Sequence, residues 1–185
     1  MKIDKKLGVT ILMVTPFAIA LWVFTRPPAT STAAAKDIFD ALSTGDSSRI
    51  YRLLRPEEQK ALGLNQGQSE KVLTQVLIPA FQSLNVRVNE KKLLSGDYEM
   101  YFMAPCSSKN VEAQFTLGLL EYSPGVYQTS LSNLYAGIVI AESRIAKKSG
   151  NEKQIANLQK ERIRKLSEIG MKGLYNASEN TVQTW

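Results

Sequence analysis

Between Val111 and Leu119 the chain alternates strictly. Val111, Ala113, Phe115, Leu117 and Leu119 fall on one side, and Glu112, Gln114 and Thr116 on the other. A period of two over nine residues demands an extended strand with one face on a core and one facing out. Upstream and downstream the apolar period is that of a helix, so the strand must be covered by helices from its own chain. This combination predicts an α+β fold.

Upstream, the spacing predicts a helix from about Ala33 to Ser43, with Ile38, Phe39, Ala41 and Leu42 on its apolar side and Gly45 ending it. Asp46 is suited to cap a second helix, which presents Ile50, Tyr51, Leu53 and Leu54 before Pro56 stops it. "PEEQKALG" adds a turn or short helix beginning at Pro56 and ending near Gly63. A third helix is expected from Ser69 to about Leu84, with a stripe of Val72, Leu73, Val76, Leu77, Ala80, Phe81 and Leu84 and a kink at Pro79. Four strands are then expected, over 86–94, 97–104, 111–122 and 126–132, joined by tight turns at Ser95-Gly96 and Ser123-Pro124-Gly125. Two helices, Asn133–Lys148 and a last one ending near Asn176, close the chain.

From Leu7 to Phe24 eighteen residues pass without a charge, enough for a helix of roughly 27 Å, close to the hydrocarbon thickness of a bilayer. Lys2, Lys5 and Lys6 precede this run and only Arg26 follows closely, which predicts a cytoplasmic N-terminus. Ala29-Thr30-Ser31 allows the alternative of a cleaved signal peptide, and a buried soluble helix is a third reading. The anchor reading divides the chain into a single-pass transmembrane signal-anchor over residues 1–25, a Pro/Thr/Ser/Ala linker over 26–32, an α+β domain over 33–132, a helical hairpin over 133–176 and a tail over 177–185. The domain would then be extracytoplasmic.

"AAAKDIFDALSTGDSSRIYRLL", with Ala41-Leu42-x-x-Gly45-Asp46 at the helix break, resembles the opening of nuclear-transport-factor-2-like, cystatin-like (SnoaL-like) domains. The resemblance covers about residues 33–132. It implies three N-terminal helices packed on a curved antiparallel sheet of about four strands, a cone-shaped pocket between them and, in isomerase-like members, an inward acid with a tyrosine partner. The C-terminal hairpin departs from that pattern, in which the domain ends on its sheet.

The strand alternation speaks against the acid. Tyr98, Met100 and Phe102 share a face, with Glu99 and Tyr101 opposite; Glu99 and Glu112 are therefore expected to face solvent. Composition narrows the chemistry further. There is no histidine, which removes the usual proton shuttle at neutral pH and the commonest zinc ligand. The single Cys106 permits neither an internal disulfide nor a CxxC metal site. Ser-x-x-Lys, GxSxG, phosphate-loop and EF-hand patterns are all missing. No catalytic residue, cofactor site or metal site is expected. Candidate pocket-lining residues are Tyr51, Tyr98, Met100, Phe102, Phe115 and Tyr127, for which core packing is the alternative.

Charge is unevenly spread. Residues 1–31 carry four basic groups against one acidic, residues 32–135 ten against eleven, and residues 136–185 nine against five. The last helix is expected to set Ile155, Leu158, Ile163, Leu166 and Ile169 against a basic side containing Lys160, Arg162, Arg164 and Lys165. Such a helix docks on anionic lipid or a protein partner, or packs on its own domain. Nucleic acid is not an expected partner, because basic–aromatic interleaving is missing. The sequence thus predicts a non-enzymatic, membrane-tethered envelope domain held by Leu7–Phe24, with an envelope protein or an anionic surface as partner and homodimerisation open. An exported carrier of a small apolar ligand and an isomerase-like enzyme are the alternatives.

Overall fold

A computed structural model describes residues 30–87, 93–95, 99–108, 110–171 and 173–174. The apolar run Leu7–Phe24, the linker up to residue 29 and the tail therefore lie outside the described residues. Among the described residues no helix is long and apolar enough to cross a membrane.

Helix α1 (Ser31–Thr44) is capped by Thr30, whose side chain accepts the Ala33 N–H, and it ends at Gly45 in the left-handed conformation. There the Gly45 N–H closes on the Ala41 carbonyl, a turn that residues with a Cβ adopt only at a cost. Asp46 then caps α2 (Ser47–Arg52), its Oδ1 accepting the Arg49 N–H at 2.9 Å. The Gly-Asp pair thus stops one helix and starts the next. Leu53 and Leu54 leave the helix, and Leu54 forms a parallel bridge to Thr129. Helix α3 (Pro56–Ala61) follows.

The third helix expected from Ser69 begins earlier. Asn65 and Gln68 cap each other's backbone reciprocally, and α4 runs from Gln66 to Val72. A π-turn over Leu73–Leu77 leads into α5 (Ile78–Ser83), with the Ile78 N–H reaching back to Leu73. The expected disturbance at Pro79 takes this form because proline offers no N–H and its ring would collide with the carbonyl four residues back.

The sheet is an antiparallel meander of order β1-β2-β3-β4: β1 (Leu93–Ser95), β2 (Glu99–Ser108), β3 (Val111–Ser123) and β4 (Val126–Gln128). Helices ahead of an antiparallel sheet and a helical pair behind it make the fold α+β. The sheet is narrower than the four full strands expected. The strand foreseen over 86–94 is represented among the described residues by Leu93–Ser95 alone, and the one over 126–132 stops at Gln128. It stops because the Ser130 hydroxyl accepts the Asn133 N–H and so starts α6 (Leu131–Ser149) two residues earlier than expected. Helix α7 (Glu152–Glu168) follows the left-handed Gly150, and its expected extension toward Asn176 is broken at Gly170, also left-handed.

Register places Met100 opposite Leu119, Phe102 opposite Leu117, Ala104 opposite Phe115 and Cys106 opposite Ala113. Ala104, Cys106, Ala113, Phe115, Leu117 and Leu119 are all buried, while Gln114 and Glu112 are exposed. The inner face is the one the alternation predicted, but Thr116 of the opposite row is buried as well.

Strand β4 pairs only with Leu120–Ser123, which leaves the rest of β3 without a strand neighbour on that side. Helix α6 takes that place. Its approach brings the Thr129 hydroxyl to the Gly118 carbonyl at 2.9 Å, Arg144 to the Gln114 carbonyl and Lys148 to the Glu112 carbonyl. Alternate carbonyls along one edge are satisfied by side chains, so the edge no longer offers a row of free acceptors for strand pairing. Between them the helix backbone approaches the strand closely at Gly137. A Cβ there would overlap the Thr116 carbonyl oxygen and lie 3.0 Å from Cζ of Phe115. We expect Gly137→Ala to cost about 1–3 kcal/mol in urea unfolding followed by circular dichroism, because the helix must lift from the strand. An unchanged midpoint would show that α6 does not lie this close.

Candidate functional site

The space in which the resemblance implies a pocket lies between the inner face of the sheet and the helices. Phe115 projects there from β3, Phe39 from α1 and Phe81 from α5. Their ring centroids are 5.2 Å (Phe81–Phe115), 5.8 Å (Phe39–Phe115) and 6.1 Å (Phe39–Phe81) apart, two of the three contacts being edge-to-face. That is the preferred geometry of aromatic packing. Phe115 is completely buried and belongs to the core. Tyr51, Phe102 and Tyr127 are partly buried and pack on the same core, and Met100 is half-buried. Tyr98 and the side chain of Glu99 lie outside what the structure describes. Of the candidate pocket residues, Phe115 thus belongs to the core, and Tyr51, Phe102 and Tyr127 pack against it.

Tyr127 lies beside Glu121. Partial burial first, and then that carboxylate, hold its phenol above the usual range. Glu121 also accepts the Gly125 N–H at 2.9 Å and so fastens the β3–β4 turn. Cys106 is fully buried, and burial pushes its thiol up to about 11 against the opposing pull of Arg144 and Lys148. It therefore remains a neutral thiol near pH 7, which is not the state of a nucleophile. Among the described residues no group of His, Cys, Asp and Glu is arranged to hold a metal ion.

The four basic residues of the last helix are not equivalent. Arg162 turns inward and makes a bidentate ion pair with Glu142 of α6, with side-chain exposures of 11% and 3%. Arg164 pairs with Glu168 and Lys165 with Glu161, each one helical turn away along the surface. Lys160 is exposed. The basic side foreseen for this helix is thus largely matched by carboxylates of α6 and of α7 itself. Leu166, one turn beyond Arg162 on the same face, is buried, whereas Leu158 is exposed.

Two structural carboxylates had no expected role. Glu58 of α3 reaches 73 residues along the chain to the start of α6, accepting the Leu131 N–H at 2.7 Å, the Ser132 N–H at 3.1 Å and the Ser132 hydroxyl. A carboxylate at the positive end of a 19-residue helix satisfies donors that the helix leaves free. Glu58→Ala is expected to lower stability by about 1–3 kcal/mol, read as a fall in the urea midpoint, because these donors become buried without an acceptor. Glu142 is the second. Its signal was present: it interrupts the apolar stripe Ile138, Ala141, Ile145, as Arg162 interrupts Leu158, Leu166. Two opposite charges, each on the apolar side of consecutive helices, mark a pair. Glu58 carried no such signal.

Beside the covered edge of β3 lies an open hollow of about 420 Å³, lined by Pro105, Glu112, Ala113, Gln114, Arg144 and Lys148. A smaller apolar notch of about 80 Å³ separates the end of β2 from the α6–α7 turn, with Ile145, Ile155 and Leu158 on its walls.

A comparison with models of known protein families matches none of them, and one with curated proteins finds no significant match.

Proposed function

We propose that this protein is a membrane-tethered, extracytoplasmic domain of nuclear-transport-factor-2-like type with a non-enzymatic interaction or structural role in the cell envelope. The observation that supports this most is the Phe39–Phe81–Phe115 cluster: aromatic rings fill the position that a carrier or isomerase of this type would keep open for its ligand. The outward Glu112 and the neutral, buried Cys106 agree with it. The tether rests on the uncharged run Leu7–Phe24, its lysine-rich front, and the Arg26-Pro27-Pro28 block that separates it from Ala29-Thr30-Ser31.

The tether has a direct test. Protein extracted from membranes should have the intact mass of the full chain, and protease added outside the cytoplasmic membrane should degrade the domain while sparing the N-terminal lysines. A mature N-terminus near Thr32 would overturn the anchor. Native mass spectrometry tests the role, since an apolar molecule that co-purifies in stoichiometric amount would favour the carrier instead.

A further inference from the structure

We infer that the hollow beside the edge of β3 binds a phosphate-type oxyanion between Arg144 and Lys148. These two residues stand one turn apart on α6, and each is fixed by a main-chain carbonyl rather than by a carboxylate. Arg144 Nη1 donates to Gln114 O at 3.2 Å, and Lys148 Nζ to Glu112 O at 2.7 Å. The two carbonyls are two residues apart on one strand edge, which sets the cationic heads roughly 7 Å apart. One tetrahedral oxyanion can bridge that distance with charge-assisted hydrogen bonds to both.

Each cation keeps donors to spare. A guanidinium has five N–H groups and an ammonium three, and the edge carbonyls use one of each. Among the described residues neither has a carboxylate partner, in contrast to Arg49, Arg87, Arg162, Arg164 and Lys165, which all do. Glu112, the carboxylate on the rim, is engaged at 3.1 Å by Arg87 from across the strand pair. The lining thus holds two cationic side chains against one anionic one, which Arg87 already pairs, around an open volume of about 420 Å³. Covering the strand edge explains one hydrogen bond from each residue. It does not explain why two pre-positioned charges with free donors border a hollow of that size.

This inference is independent of the proposed tether, and of the Lys160–Lys165 segment, whose charges are largely matched. The test uses the full chain in neutral detergent micelles with isotope-labelled arginine. Titration with inorganic phosphate at constant ionic strength should shift the Arg144 Nε–Hε resonance in a saturable way. Isothermal titration calorimetry, which does not depend on that resonance, should show Arg144→Gln/Lys148→Gln binding at least about tenfold more weakly, as loss of two charge-assisted contacts requires. Lys147→Gln/Lys153→Gln, with the same change in charge, should bind as the wild type does. Nanodiscs then separate the sources. A shift with phosphatidylglycerol but not phosphatidylcholine assigns the site to a lipid headgroup, and a shift with free phosphate alone assigns it to a soluble ligand. If the wild-type Arg144 resonance does not move with either, or chloride reproduces the shift, the proposal is overturned. That reading needs no variant, so a folding defect in the double substitution leaves the test decisive.

Discussion

Phe115→Ala is expected to destabilise the domain by about 3–5 kcal/mol, the range for truncating a large aromatic side chain in a packed core. Phe115 is fully buried, touches the rings of Phe39 and Phe81 and lies under Gly137, so it joins α1, α5 and α6 to the sheet at a single point. Removing it opens a void that three elements would have to move together to close. Phe115→Leu retains much of the volume and should cost well under half as much, losing mainly the edge-to-face contacts. Three residues earlier on the same strand, Glu112→Ala should change stability by less than about 0.5 kcal/mol, because its carboxylate is exposed and so is its partner Arg87. Urea unfolding of the three variants gives the ranking. If Glu112→Ala proves the most damaging, β3 presents its other face to the core.

Breaking the Glu142–Arg162 pair on one side only should be as severe. Arg162→Met leaves Glu142, with 3% of its side chain exposed, surrounded by α6 and α7 without a counter-charge, and should cost about 3–5 kcal/mol. The double variant Glu142→Leu/Arg162→Met should recover most of that loss, because two apolar side chains of similar size need no compensation for desolvation. The difference between the double variant and the sum of the single ones measures the coupling. A coupling near zero would mean that the pair is solvated and that α7 is held by Leu166 and its neighbours instead. The pair also determines the orientation of α7. This helix buries little else among its described residues, so the buried charges, more than an apolar stripe, fix which side of it faces the domain.

The fold class was legible because two local signals are strong and independent of context. Alternation over Val111–Leu119 can satisfy only a half-buried strand, and Gly45-Asp46 combines a left-handed stop with a side-chain cap, both of which act within a few residues. Cap chemistry outside those signals was harder to weigh. Asn65 with Gln68, and Ser130 with Asn133, moved helix starts by two or three residues because one side-chain hydrogen bond decides between two backbone conformations of similar energy.

Sequence alone determined the period of each segment, and with it the inner row of β3, the absence of histidine chemistry and the uncharged run at the N-terminus. Tertiary structure decided everything that depends on residues distant in the chain. It packed rings from α1, α5 and β3 against one another, turned Arg162 from a surface cation into half of a buried pair, and sent Glu58 to the start of α6. It also laid α6 along the open edge of β3 at Gly137, so that Arg144 and Lys148 serve backbone carbonyls rather than carboxylates. The physical reason is the same in each case. Periodicity fixes the face of its own helix or strand on which a side chain lies, whereas its partner is set by where a second element packs, and that follows from the burial of the whole core.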